Sequence, residues 1–153
     1  MPQWPMDQAG AHRWFAVEFN NEAWSIVESS PRLPDQIDQM LHLAHAALVH
    51  WSQVGTPLNR QRALDLLAHA HAAAGFGQLS LQFAEQAWQL SLETGDGQTP
   101  FDRAEAHSTM AVALRSAGHM SEAEEWRGRA LQAASQLDAE DRAAIERLLN
   151  LPG

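Results

Sequence analysis

The sequence predicts an all-α fold, an α-solenoid of antiparallel helical hairpins with about seven helices. Three observations carry that reading. Alanine (27) and leucine (18) dominate the 153 residues while Gly (9) and Pro (7) are few, which favours helix over strand. Apolar residues recur at i, i+3, i+4 and i+7, and no segment alternates with period two for long enough to be a strand. The chain also repeats itself. Shifted by 43 residues, Thr56 to Ala87 falls on Thr99 to Ala130 with nine of 32 positions identical, among them Thr56/Thr99, Pro57/Pro100 and Gly75/Gly118. Alanine richness produces some of these identities. Thr-Pro and Gly set helix ends, so their recurrence marks a structural period, and a period of roughly 20–50 residues built from two helices points to a solenoid.

Taken in order, the first helix spans about 7–28. It carries Asn20-Asn21 in mid-helix, where asparagine is unfavourable and signals a break or a buried polar contact ahead of a hydrogen bond to a ligand. The second, 34–53, presents Ile37, Met40, Leu41, Ala44, Ala47, Leu48 and Trp51 as one stripe. The third, 57–74, opens on Thr56-Pro57, a capping hydroxyl before a proline whose missing N–H costs nothing, and ends at Gly75. The fourth, 78–93, ends before Gly95. The fifth, 100–117, repeats the opening as Thr99-Pro100 and ends at Gly118. The sixth, 122–136, is read from a capping box at Ser121-Glu122-Ala123-Glu124. The seventh, 139–149, starts on Asp138 with an acidic first turn, which suits the helix dipole. Its Glu140, Asp141, Arg142, Glu146 and Arg147 stand beside Ala144, Leu148 and Leu149, the polar outer face a solenoid end requires. Short connections make sequential helices antiparallel neighbours.

Composition excludes several classes. Without cysteine there is no disulfide framework and no thiolate-ligated metal or cluster. A net charge of −9, with all ten basic residues arginine, argues against nucleic acid as a partner. The stretches Gln39 to Asn59 and Leu66 to Ala84 lack charge, but His42, His45, His50, Pro57, His69, His71 and Gly75 interrupt them, so no membrane span is expected. Packing of inner helices on two or three sides is the expected cause of this charge-free middle. The opening MPQWPMDQAGAHRW lacks a basic region followed by an apolar run, so a cytoplasmic protein is expected.

The small residues along these hairpins resemble tetratricopeptide repeats. In one unit they are Ala104-Glu105-Ala106, Ala111, Gly118, Ala123 and Ala130, and in the preceding one Ala68, Gly75, Ser80 and Ala87. The match covers about 57–136. It departs from the family in a longer loop at Glu93 to Thr99, in His107 and His71 where Trp and Tyr are usual, and in a missing Pro after Leu131. The run from Ala44 to Ala63 also resembles small bacterial proteins of this repeat type, which imply no activity. The resemblance implies a right-handed solenoid forming one domain over 1–153. It would comprise a degenerate hairpin (7–53), repeats at 57–93 and 100–136, and a capping helix (139–149). It implies a concave groove that binds a peptide or protein segment. Carried over by register, the groove is lined by Arg62, Asp65 and His69 from one unit and Glu105, Ser108, Val112 and Arg115 from the next. These positions lie off the apolar stripes, so they are expected at a surface. Arg62 and Arg115 are the cations that could hold a carboxylate.

No catalytic motif is present: no cysteine nucleophile, no G-x-S-x-G, no phosphate-binding loop. The expected function is therefore an interaction module with no enzyme activity, no cofactor and no bound metal. Two other readings stay open. One is a small-ligand or metal-binding protein using His, Trp and Arg around the second and third helices, with His42, His45 and His69 as zinc candidates. The other is a self-associating structural subunit, a homodimer for instance. His71 is expected to fill a core position with one nitrogen hydrogen-bonded. Trp14, Trp24, Trp51, Trp88 and Trp126 are expected as core anchors, while Trp4, between Pro2 and Pro5, is expected exposed or docked on a neighbour.

Overall fold

A computed structural model describes residues 7–151, so Trp4 lies outside the described residues. Those residues form seven α-helices and no strand: α1 (Gln8–Val27), α2 (Pro34–Val54), α3 (Pro57–Ala73), α4 (Gly77–Thr94), α5 (Pro100–Ser116), α6 (Met120–Ala134) and α7 (Ala139–Leu149). A single 3-10 turn, Gly95–Gly97, joins α4 to α5. No helix among the described residues is long and apolar enough to cross a membrane.

Local chemistry sets the helix starts. Asp7 accepts from Gly10 N at 2.6 Å, and Asp138 from Asp141 N at 2.8 Å. Thr56 and Thr99 each sit in a reciprocal box. The hydroxyl accepts from the backbone three residues on, and the side chain of Asn59 or Asp102 accepts from the cap N–H. The Ser121 box is not formed. α6 begins two residues earlier, at Met120, with His119 at the cap and no side-chain cap bond. The turn before it is made twice. Gly75 at φ +84° lets its own N–H reach Ala72 O and that of Phe76 reach His71 O. Gly118 at φ +89° repeats the arrangement with Arg115 O and Leu114 O. These paired bonds close a helix on a left-handed glycine and satisfy its last carbonyls.

Helices pack most extensively as α1 on α2, α3 on α4 and α5 on α6. The two inner helices each touch four others: α3 meets α1, α2, α4 and α5, and α5 meets α3, α4, α6 and α7. Every residue from Ala63 to Ala72 is buried, and so is every residue from Ala104 to Leu114 except the half-buried His107. α2 differs. Although charge-free from Gln39 onward, it buries only Met40, Ala44, Ala47 and Trp51, so inner packing explains the missing charge in α3 but not in α2. α1 runs unbroken through Asn20-Asn21, both of which remain at or near the surface.

Small side chains set the helix separations. Ala68 packs among Ala84, Met110, Ala113 and Ala123, and Ala111 packs with Ala104, Ala130 and Ala134. At Gly77 the backbones of α4 and α5 nearly touch: a Cβ there would lie 2.2 Å from Ser116 O. Ala68→Leu and Ala111→Leu are each expected to cost about 1–3 kcal/mol by overpacking. Gly77→Ala is expected to cost at least as much, since backbone and not a flexible side chain must yield. Urea titration of the three variants checks the register, and neutral behaviour in all of them would place the helix contacts elsewhere.

Candidate functional site

Polar side chains line the seam between α3 and α5. They meet at one offset. Arg62 and Asp102 are 40 residues apart, and so are His69 and Thr109. Asp65 and Glu105 share that offset and interact electrostatically. The two helices thus run side by side in the same sense, and each α3 residue meets the α5 residue one turn before its counterpart in the repeat.

Arg62 grips Asp102 through two parallel hydrogen bonds, Nε to Oδ1 at 2.8 Å and Nη2 to Oδ2 at 3.0 Å. Asp102 is almost fully buried and also accepts from the Thr99 N–H and hydroxyl, at 2.9 and 2.8 Å. Burial raises its carboxyl pKa. The bonds from Arg62 and Thr99, with the Arg62 charge, outweigh that and hold it below the ordinary value.

Asp65 is the opposite case. It is 1% exposed, and neither carboxylate oxygen has a hydrogen-bond partner. Burial, and next the charge of Glu105, push its pKa well above the ordinary value. Thr109 is near enough to oppose this weakly, but its hydroxyl lies 3.4 Å from His69 Nε2. Glu105, 9% exposed, is pushed up to about 7 by burial and by Asp102, against the pull of Arg62. His69 packs on Trp24 with ring centroids 5.3 Å apart, and burial, helped by the Arg115 charge, lowers it to about 4. Two acids held toward neutrality therefore sit beside one firmly ionised aspartate.

The seven residues expected to line an open groove are not together at a surface. Asp65, His69, Glu105, Ser108 and Val112 are buried. The expectation failed because α1 and α7 lie across this face, so positions off the apolar stripe are still covered. Arg115 is committed to its own chain: its guanidinium donates to Leu149 O and Leu151 O, both at 2.7 Å, and so closes the C-terminal end of α7. Arg62 alone among the seven keeps an exposed side chain, beside Asn20, Asn21 and Asn59.

What remains of the face is a cleft of about 230 Å³ between the C-terminal end of α1 and α7. Glu105 contributes to it together with Trp24, Glu28, Phe101, Arg147 and Leu148. A larger depression of about 580 Å³ adjoins it and shares Glu28, Arg147 and Leu148.

No protein-family model, no curated protein and no solved structure matches this chain.

The zinc candidates do not converge. His45 faces His71 at 5.3 Å between ring centroids, His69 faces Trp24, and His42 is exposed. Among the described residues no three His, Asp or Glu side chains gather to hold a metal ion. His71 is buried with Nδ1 2.8 Å from Leu67 O, as a core histidine requires. The tryptophans divide. Trp51 is buried, Trp24, Trp88 and Trp126 are half-buried, and Trp14 is 50% exposed. Sequence reasoning passed over Asp102 as a partner for Arg62. It also missed the aromatic walls Trp24 and Phe101, because a cleft between distant helices leaves no local pattern.

The buried groups predict a pH profile. Glu105 binds its proton more tightly folded than unfolded, so the folded state holds the extra proton between pH 4.5 and about 7, and stability is lost as pH rises through that window. Asp65 acts in the same direction. His69, lowered from 6.5 to about 4, and Asp102 act oppositely and cost stability as pH falls. Stability is therefore expected to fall as pH rises toward about 7, Glu105 alone withdrawing on the order of 3 kcal/mol across pH 4.5 to 7 while His69 offsets part of this below pH 6.5. Glu105→Gln is expected to flatten that limb. Chemical denaturation across pH measures it, and an unchanged slope in the variant would reject the assignment. Arg115→Ala is expected to cost about 1.5–3 kcal/mol, and to speed hydrogen exchange in α7 more than in α3. Equal effects on both helices would count against its role in holding α7.

Proposed function

We propose that this chain is an interaction module of tetratricopeptide type, without catalysis of its own. It takes a peptide or protein segment in the trough between α1 and α7. The observation that carries this is the pair of adjoining clefts. Sharing Glu28, Arg147 and Leu148, they form one continuous depression whose lining mixes apolar and charged residues. Such a lining suits an extended segment better than a compact ligand enclosed on all sides. The repeat assignment is supported by the twin glycine turns after α3 and α5, by the common direction of those helices, and by alanine at their contacts. The binding face differs from the one expected from the repeat alone, because α1 and α7 already occupy the inner surface of α3 and α5.

The test is selection from a random peptide library. Peptides are expected to be enriched whose binding falls at least tenfold in Ala144→Arg, which fills the wall of the trough. Binding should persist in Leu79→Arg, on the exposed side of α4. Failure to enrich any sequence, or equal binding to both variants, would overturn the proposal.

A further inference from the structure

The smaller cleft has an unusual wall. Glu105 lies in it, and behind Glu105 stands Asp65, whose two oxygens are buried without a hydrogen-bond partner. A fully enclosed carboxyl without a hydrogen-bond partner leaves bonding capacity unused, so such a group calls for an explanation. The other carboxylate on the seam, Asp102, is saturated by Arg62 and Thr99 and offers none of this capacity. The remaining lining suits a cation on a hydrocarbon stem: it includes the aromatic side chains of Trp24 and Phe101, the apolar Leu148 and a second carboxylate, Glu28. The volume, about 230 Å³, far exceeds the roughly 30 Å³ share of one water.

We propose that this cleft recognises an ammonium or guanidinium group on an apolar stem, with Glu105 as its ion-pair partner and Glu28 as a second carboxylate of the lining. The source of the group is a lysine or arginine side chain of a bound segment, or a free alkyl amine of the same chemistry. The peptide source rests on the trough proposed above, while the amine source does not. The titratable and charged groups around Glu105 are Asp65 and Arg62 on α3, Asp102 on α5, Glu28 at the end of α1 and Arg147 on α7. Arg147, exposed at the rim, is the one like charge an incoming cation must pass. Seating the cation converts neutral Glu105 to its carboxylate and releases that proton to solvent. The exchange is COOH plus RNH₃⁺ to COO⁻ paired with RNH₃⁺, plus H⁺. With the Glu105 carboxyl at about 7, roughly half a proton leaves per site at neutral pH.

Titration calorimetry in two buffers of different ionisation enthalpy reads both affinity and proton release. The probes are agmatine, n-butylammonium, and acetylated, amidated peptides with a central arginine or norleucine between leucine and alanine. The arginine peptide is expected to bind at least tenfold more tightly than the norleucine one, with proton release. Glu105→Gln is expected to weaken binding at least tenfold and abolish the release. Arg147→Ala is expected to strengthen binding severalfold, and it decides the matter should Glu105→Gln not fold. Equal affinity for the two peptides, or binding indifferent to Glu105 and Arg147, would overturn the cation site. So would the absence of binding by every probe. If both peptides bind alike and Ala144→Arg blocks them, the trough stands and the cation site falls. If agmatine binds with proton release and no peptide does, the cation site stands and the peptide proposal falls.

Discussion

The double hydrogen bond between Arg62 and Asp102 fixes the relation of the two inner helices, and the rest of the seam follows from it. Asp102 is held from two sides at once. It is the third residue of α5, where it completes the cap with Thr99, and it is the anchor for a guanidinium from α3. A side chain so constrained cannot slide along its helix. With residues 62 and 102 locked, the alternation of the helix brings 65 to 105 and then 69 to 109 on the same line. The burial of two acids at one level, and of an imidazole and a threonine at the next, is a consequence of that register and not a separate feature.

The polar groups of the seam meet the cost of burial in two ways. Asp102 stays ionised, because four donor contacts replace the water it gives up. Because the arginine is half in solvent, the pair is partly screened and its weight lies in geometry more than in net energy. Asp65 and Glu105 lack such donors, and their carboxyls move toward neutrality. His69 likewise stays neutral against Trp24. Arginine serves a second purpose at helix ends. Arg32 donates to Ile26 O and Val27 O at the end of α1, as Arg115 does to Leu149 O and Leu151 O at the end of α7, so the planar fork of this residue adds donors to the last carbonyls of two helices.

How much of this was legible in the sequence depends on the range of the interaction. Helix starts at Thr56, Thr99 and Asp138 depend on residues three apart, and those were readable to within a residue. Seven helices followed from the period of apolar positions. Ser121 misled because its pattern is local while the true start of α6 is dictated by the glycine turn just before it. The candidate site failed for a related reason. A helix stripe reports which face is apolar, and the face of α3 opposite that stripe reads as exposed. Nothing within α3 records that α1, some forty residues earlier, and α7, far downstream, lie across it. Arg115 shows the limit most clearly. Its spacing suggested a free cation, and its partners are carbonyls 34 and 36 residues away that no side-chain pattern encodes.

The duplicate glycine turns bear on how far one part of the chain matches another. The segments from Thr56 to the end of α4 and from Thr99 to the end of α6 begin with the same cap and pivot on the same left-handed residue, so each is a self-contained module at its joints. The outer elements are not interchangeable in this way. α1 is docked on both α2 and α3, and α7 is tied by arginine to α5. A substitution at one left-handed glycine therefore has a structural twin 43 residues away, whereas a substitution at one of these outer contacts has none.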